Sequence, residues 1–246
     1  MKKIQIAIVA LVYTFLSCNN DQTLEEDYID VNGNVKEKLI RKIDGVDDSG
    51  EKISIIFNYN GQEKLSSISD GTQTSTFNYN PQGELENVSY KEYPDEEPGL
   101  FNINNLYQTP YDIFNNAEVL EKDSNNNPIK ILVYDSNNSS TSYIGEIIYD
   151  DKPNPLFYTL KSSSMLNVLD KTYFNFGYQN PELVKAKDLI PNNIFTGMIF
   201  KDSDGLTVKE LQVSYSYDSD NYPIQGDVYY YEKGEISNYT INYYYK

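Results

Sequence analysis

The stretch IIFNYNGQEKLSSIS, residues 55–69, and the stretch STFNYNPQGELENVSY, residues 75–90, are two copies of one pattern. Alternation along a strand places Phe and Tyr on one face and the intervening Asn on the other. Each copy has the order strand, polar turn, strand, and its turn contains the residues that favour tight turns. The repeat therefore predicts β-hairpins with one apolar face. The aligned pairs are Phe57 and Phe77, Tyr59 and Tyr79, Asn58 and Asn78, Leu65 and Leu85, and Ile68 and Val88.

Degenerate copies of the hairpin follow nearly to the C-terminus, with turns predicted at Asp123–Pro128, Asp150–Pro155, Asp218–Pro223 and Glu232–Gly234. Residues 35–246 are therefore predicted to form one all-β domain, a single curved antiparallel meander of roughly ten to twelve strands. An apolar sheet face must be shielded from water. The sheet is therefore expected to curl into a half-open barrel or to be covered by loops.

Two long segments interrupt the hairpin pattern, residues 91–116 and residues 156–200. They are predicted to be loops that cover part of the concave face and contain minor short helices. The helices are expected around 111–115, within SSSMLNVLD at 162–170, and over 182–188, where Asn180 would cap a helix with Pro181 at its first position. Long loops on a β scaffold often carry function.

The N-terminus has the three parts of a secretory signal peptide, predicted to be cleaved after residue 17. The basic MKK start is followed by the apolar run IQIAIVALVYTFL, residues 4–16, and then by Ser17 and Cys18. The order Phe15-Leu16-Ser17-Cys18 resembles the bacterial lipobox. That resemblance implies that the Cys18 thiol carries a lipid and that the mature chain is anchored to a membrane. An ordinary signal peptide with an incidental cysteine is the alternative.

Residues 18–34 are polar and acidic, without an apolar period, and are predicted to form a flexible tether. Asn19 follows Cys18, and by resemblance to the sorting rule of Gram-negative lipoproteins this favours the bacterial outer membrane. The acidic residues after Cys18 are similar to the export signal of Bacteroidetes surface lipoproteins, with plain linker chemistry as the alternative. The expected location is the cell surface, and the periplasmic face stays open as a second location.

Two short motifs, YNPQGEL at 79–85 and YSYDSDNYPI at 215–224, resemble the YD repeats of Rhs-type proteins. The repeat unit in that family is Tyr-Asp, two residues, Gly, Arg and Leu, and here Glu84 stands in the place of Arg. The stretch YDDKPNPLF at 149–157, together with the N-terminus, resembles Bacteroidetes lipoproteins with β-rich domains of unknown function. The resemblance implies a tyrosine-rich hairpin array and transfers no catalytic residue.

The composition excludes several classes of function. The chain has 246 residues, a net charge of −17, a single cysteine and no histidine. Such an acidic surface repels nucleic acid, so no nucleic-acid partner is expected. Catalytic triads with histidine, His-ligated zinc and intrachain disulfides are excluded. We predict no catalytic residue, no metal site and no cofactor.

The acidic motifs do not match a calcium loop or a catalytic pair. The segments beginning at Asp123, Asp202 and Asp218 carry alternating oxygens, but the first two lack the glycine and glutamate spacing of an EF-hand loop. All three are interpreted as hairpin turns, with weak calcium binding as the alternative. The adjacent carboxylates form no pattern that distinguishes a catalytic pair from solvated charge. They are Asp47 and Asp48, Glu96 and Glu97, and Asp150 and Asp151.

The chain contains 24 tyrosines, several of them in runs at 229–231 and 243–245. Alternation predicts that Tyr230 and Tyr244 face opposite to the tyrosines on either side. These two are the predicted ligand-facing aromatics, with a glycan or a protein as the ligand. Cross-strand aromatic pairing is the structural alternative.

The sequence thus predicts a non-catalytic, lipid-anchored envelope protein that presents a tyrosine-rich β surface. A carboxylate-dependent hydrolase of an extracellular or envelope polysaccharide is a competing hypothesis, and a purely structural spacer is a third. A pocket with two facing carboxylates would favour the hydrolase. A continuous exposed tyrosine strip would favour binding.

Overall fold

A computed structural model describes residues 23–91, 99–104, 111–112, 117–134, 142–175 and 183–246. The helices discussed below are α1, Leu24–Asn32; α2, Phe157–Ser162; and α3, Met165–Leu169; a 3₁₀ helix covers Ala186–Leu189. The strands are β1 Ile40–Asp47, β2 Lys52–Tyr59, β3 Leu65–Ser69, β4 Thr74–Tyr79, β5 Leu85–Lys91, β6 Gly99–Asn102, β7 Tyr111–Asp112, β8 Ala117–Lys122, β9 Pro128–Tyr134, β10 Ser142–Pro153, β11 Tyr173–Asn175, β12 Leu183–Lys185, β13 Asn193–Lys201, β14 Thr207–Tyr217, β15 Pro223–Glu232 and β16 Glu235–Tyr245.

Thirteen strands form one open antiparallel sheet, which confirms the predicted all-β meander. The order is β6-β5-β4-β3-β2-β1-β16-β15-β14-β13-β10-β9-β8. The first and last strands of the chain are therefore neighbours in the middle of the sheet, with Ile43 opposite Tyr243. The strands follow outward from this central pair in both directions, and β10 pairs with β13 although β11 and β12 lie between them in sequence. The strands β12, β11 and β7 form a separate small sheet.

One face of the large sheet, called here the covered face, carries the main hydrophobic cluster. Alternate residues of the paired strands point into it, as predicted for Phe57 and Leu65. Helices α2 and α3 lie over the same face, where Thr159 meets the Tyr59 hydroxyl and Val168 packs against Leu85. The opposite side, called the open face, carries the intervening polar residues.

The predicted loops contain more regular structure than expected. The helical prediction for 162–170 is confirmed by α3, whereas Leu183–Lys185 is strand β12 and Ala186–Leu189 a 3₁₀ helix. The helix predicted over 182–188 is therefore wrong, because Leu183–Lys185 pairs with β11. The helical turn predicted around 111–115 is likewise wrong at Tyr111–Asp112, which pairs with β11. The proposed cap, Asn180 and Pro181, lies outside the described residues.

The predicted tether, residues 18–34, contains helix α1, so the prediction of a flexible segment is wrong for Leu24–Asn32. The helix begins with a capping box, in which the Thr23 hydroxyl accepts from the Glu26 amide and the Glu26 carboxylate accepts from the Thr23 amide. Leu24 and Tyr28, one turn apart, are both buried. The Tyr28 ring stacks on Phe157 with 3.6 Å between ring centroids.

The same five-residue turn closes six hairpins among the described residues. Its first side chain accepts hydrogen bonds from the amides of the third and fifth residues, and its fourth residue has positive φ. The acidic segments at Asp123, Asp202 and Asp218 are three of these turns, which confirms their interpretation as Asx turns. The first residues are Asp47, Asn60, Asn80, Asp123, Asp202 and Asp218.

One of these turns carries a residue that is poorly suited to its backbone. Glu63 has a φ of 62°, in the left-handed region, where a residue other than Gly costs about 1–2 kcal/mol. Its carboxylate reaches Lys246 at 2.9 Å, but that pair is exposed and contributes little. We expect Glu63→Gly to raise the free energy of unfolding by about 1 kcal/mol, measured by urea titration.

The matched control for this substitution is Gly205→Ala, which should lower the free energy of unfolding by about 1 kcal/mol. Gly205 occupies the same turn position with φ of 79°, and a Cβ built there meets nothing within 4 Å. The effect there is therefore one of backbone conformation alone. A destabilised Glu63→Gly protein would show that the left-handed backbone at Glu63 costs less than the side-chain contacts that the substitution removes.

Candidate functional site

The two aromatics predicted to face a ligand lie on different faces of the sheet. Tyr230 is 6% exposed and belongs to the core of the covered face, where its hydroxyl donates to Glu232 at 2.7 Å. The prediction that Tyr230 faces a ligand is therefore wrong. Its alternation with Tyr229 and Tyr231, which are less buried, is as predicted.

Tyr244 lies on the open face and is 39% exposed, while its neighbour Tyr243 is buried. The Lys42 ammonium sits 5.3 Å from the centroid of the Tyr244 ring and forms an ion pair with Asp44. Tyr244 thus lies beside a charged pair. The described residues show no continuous exposed tyrosine strip around it, since the inward tyrosines of β14 and β16 pack together on the covered face.

The repeated tyrosines that precede the turns serve the hairpins themselves. Tyr59 donates to the carbonyl of Ile40 at 2.7 Å, and Tyr79 donates to the carbonyl of Leu65 at 2.5 Å. Burial raises the pKa of Tyr79 to about 12, so the hydroxyl stays a donor at neutral pH. Tyr245 makes the equivalent bond to Pro223. Sequence reasoning correctly places Tyr59 and Tyr79 on the same face as Phe57 and Phe77, and it misses their hydrogen bonds to the neighbouring strand.

The adjacent carboxylates are occupied by local structure. Asp47 closes its own turn, and Asp48 accepts from the backbone amide of Asn238. Asp150 accepts from the Tyr217 hydroxyl at 2.6 Å, at an irregular part of β10, and burial together with this bond raises the pKa of Tyr217. Asp151 pairs with its neighbour Lys152. The pair Glu96 and Glu97 lies outside the described residues.

A shallow groove of about 470 Å³ on the open face of β8–β10 brings two other carboxylates onto one row. Glu121 and Glu146 both lie opposite Lys130, one on each side. Glu121 pairs with Lys130 at 3.0 Å, and Glu146 pairs with Lys201 at 2.6 Å. Their side chains are 56% and 44% exposed. Both carboxylates therefore lie in partly exposed ion pairs with lysines.

The open face of β2–β6 has a different character, with uncharged amide and hydroxyl side chains in register across the strands. The first row crosses all five strands, and Asn78 in the second row donates to Asn87 at 2.8 Å. We call these residues the polar array. The first row is Asn58, Ser67, Thr76 and Ser89, ending at Leu100. The second row is Asn78, Asn87 and Asn102. Ser69 and Thr74 face each other next to the first row, on the side away from the second row.

The polar array contains no acidic side chain, although the chain has 37 acidic residues. Lys91 borders it on the same face, opposite Thr74. Neighbouring strands are about 4.8 Å apart, so the first row offers one polar group at each such step from β2 to β5. Sequence alternation places Asn58 and Asn78 on this face. Their neighbours across the sheet become known only with the strand register.

No helix in the described part of the chain combines the length and the apolarity needed to cross a membrane. In the same residues, no group of three or more acidic or cysteine side chains is arranged to hold a metal ion.

No protein-family model and no curated protein sequence matches the chain. Among solved structures, a porin-like protein from Bacteroides uniformis aligns with a TM-score of 0.34 and 13% identity, over 84% of this chain and 98% of that one. A porin-like protein from Bacteroides vulgatus aligns with a TM-score of 0.32 and 12% identity, over 85% and 99% of the two chains. Similarities of this size carry no information about function.

Proposed function

We propose that this chain is a non-catalytic binding protein of the bacterial cell envelope, held by lipid at Cys18, that binds a neutral polysaccharide on the polar array. The observation that carries the proposal is the uncharged array of amides and hydroxyls on the open face of β2–β6. Sugar hydroxyls both donate and accept hydrogen bonds, as do the groups of the array. The net charge of −17 on the whole chain disfavours an acidic ligand or an anionic surface.

Binding by such a surface depends on repetition. Each hydrogen bond to a ligand replaces one to water and contributes only about 0.5–1.5 kcal/mol. A row of groups at about 4.8 Å spacing can engage successive units of a polymer, so that many weak contacts act together. The proposal therefore implies that affinity rises with the length of the glycan, and that single sugars bind too weakly to detect.

The hydrolase hypothesis is less well supported by the geometry. The groove brings Glu121 and Glu146 onto one row, and each of these two carboxylates pairs with a lysine. Glycoside hydrolysis needs two carboxyl groups held across a cleft in different roles, whereas both carboxylates here lie in partly exposed ion pairs on an open groove. The spacer hypothesis makes a separate prediction, which is the absence of any glycan binding.

The test is a glycan array probed with the mature domain, followed by titration of a neutral oligosaccharide series of increasing length. The variant Asn87→Asp keeps the size of the side chain and an oxygen that accepts from Asn78, but it adds a charge and removes a donor. We expect it to weaken binding of a long neutral glycan by roughly tenfold, which corresponds to the loss of one good hydrogen bond.

The control is Gln62→Glu, an equally isosteric change at an exposed turn outside the polar array. It should leave the affinity unchanged. Equal affinity of the Asn87→Asp protein and the native protein would contradict the assignment of the array as the binding surface. Failure of every neutral glycan to bind would favour the spacer.

The anchor has its own prediction. Cys18→Ala removes the thiol that would be lipidated, so the protein should lose fatty-acid labelling and move from the membrane fraction to the soluble fraction. Stable anchoring by acyl chains needs at least two of them, each CH₂ contributing about 0.8 kcal/mol. Retention of the Cys18→Ala protein in washed membranes would contradict the anchor. We propose the outer membrane as its location, with the domain on the cell surface.

A further inference from the structure

Helix α1 fixes the start of the described chain to one end of the sheet. The Tyr28 hydroxyl donates to the carbonyl of Asn154 at 3.4 Å, and the Asn32 amide donates to the carbonyl of Asn192 at 3.0 Å. The Leu24 backbone amide donates to the Asp170 carboxylate. These contacts, with the stacking of Tyr28 on Phe157, join α1 to α2, to the end of α3 and to the segment before β13.

The end of the sheet that receives α1 can be identified from the same cluster. Tyr222, in the turn between β14 and β15, is buried beside Tyr28 and Phe157. We call this the capped end. The turn between β13 and β14, at 202–206, lies at the other end of β14 and defines the far end. Strand β14 has 11 residues, so the two ends are about 36 Å apart.

The distance from the anchor to α1 is short. Five residues separate Cys18 from Leu24 in the sequence. At 3.8 Å per residue they allow at most about 23 Å between the two Cα atoms. The tether predicted from the sequence would have reached to residue 34, so docking of α1 removes most of its reach.

We propose that the domain is held with its capped end next to the lipid surface and its far end directed away from the membrane. This inference rests on the lipid anchor of the proposed function. The first turn of α1 carries Glu25, Glu26 and Asp27, so anionic headgroups do not attract the capped end. Its position near the lipid follows from the short covalent link. The polar array then lies on a side face of the domain rather than against the membrane, so a polymer can reach it.

Two serines make a matched pair for the test. Ser219 and Ser203 occupy the second position of the same type of turn, at the capped end and at the far end of β14, and both are exposed. The chain has one cysteine, and its thiol is used by the lipid, so Ser219→Cys and Ser203→Cys each give one labelling site. The labelled, lipidated protein is reconstituted into phosphatidylethanolamine–phosphatidylglycerol vesicles that carry an acceptor dye on a lipid headgroup.

Energy transfer to the membrane should be at least about twofold more efficient from position 219 than from position 203, because the sites differ by about 36 Å along β14. A flexible insert of twenty Gly and Ser residues between Gln22 and Thr23 should reduce this difference, since it adds a mean reach of about 25 Å. Tyr28→Ala, which removes the stacked ring, should also reduce it.

Equal transfer from both positions, or stronger transfer from position 203, in protein that floats with the vesicles would overturn the orientation while leaving the anchor intact. Protein that fails to float with the vesicles would overturn the anchor, and the orientation with it. Mass spectrometry of the N-terminal peptide establishes lipidation in each preparation, so these two failures are distinguished.

Discussion

Replacing Leu65 with Asp is expected to unfold the β-domain. Leu65 is 1% exposed and packs in the main cluster of the covered face. The substitution loses about 2–3 kcal/mol of apolar burial and places a carboxylate among the apolar side chains of the cluster, a further cost of several kcal/mol. Domains of this kind have a total free energy of unfolding of about 5–15 kcal/mol. Urea unfolding followed by near-ultraviolet circular dichroism suits a chain with 24 tyrosines and no tryptophan.

The control is Ser67→Asp, two residues further along the same strand. Ser67 belongs to the open face and lies opposite Asn58 and Thr76. A carboxylate there stays hydrated, so the free energy of unfolding should change by no more than about 0.5–1 kcal/mol. Leu85→Asp should behave like Leu65→Asp, because the repeat places both leucines after a turn and on the covered face. A native-like transition for Leu65→Asp would refute the assignment of faces.

Face assignment is the part of this fold that the sequence predicts best. Alternation of two residue types along a strand is a local sequence pattern, and it occurs in both repeats, at Phe57 and at Phe77. The turns are also local, because the side chain that accepts the hydrogen bonds and the amides that donate them lie within five residues. Both features can therefore be predicted from a single sequence without knowledge of any distant contact.

The features that sequence reasoning misses depend on partners far away in the chain. Pairing of β1 with β16 joins residues about 200 positions apart, and no local pattern distinguishes this order from a simple meander. The burial of Tyr230 depends on which face of β15 is covered. Alternation divides the residues of the strand between two faces but does not say which face is inside. Helix α1 is different, since the Thr23–Glu26 capping box is a local signal that the acidic composition of the segment obscures.

The candidate site likewise has features that local sequence predicts and features that depend on distant partners. That Asn58 and Asn78 share the face opposite to the aromatics follows from alternation alone. That Asn58, Ser67, Thr76 and Ser89 form one continuous row requires the register of four strands, each with its own bulge or turn. A single residue of slip in any hairpin would move one member of the row to the other face.

Asn127→Ala is the second substitution expected to have a large effect, at a polar residue rather than an apolar one. Asn127 is fully buried at the turn between β8 and β9. Its carbonyl oxygen accepts from the backbone amide of Asn192 at 2.9 Å, and its amide donates to Asn193 Oδ1 at 2.8 Å and to Asp123 Oδ2 at 3.0 Å. These bonds tie the β8–β9 turn to the segment that enters β13.

Truncation at Asn127 leaves buried partners without their hydrogen bonds, each at a cost of about 1–3 kcal/mol. We therefore expect the free energy of unfolding to fall by about 3–4 kcal/mol, measured by urea titration at neutral pH. Asn127→Leu keeps most of the volume but makes none of the bonds, so it should be nearly as destabilising. Similar losses in both variants would assign the effect to hydrogen bonding rather than to a cavity.

The matched control is Asn58→Ala, which removes an asparagine that donates one hydrogen bond to Ser67 at 3.0 Å on the open face. Water replaces that bond, so a loss of no more than about 0.5–1 kcal/mol is expected. If Asn127→Ala cost no more than Asn58→Ala, the β8–β9 turn would not be held by its amide network. The other side-chain contacts of that turn, such as the one between Asn125 and Asn193, are only partly buried.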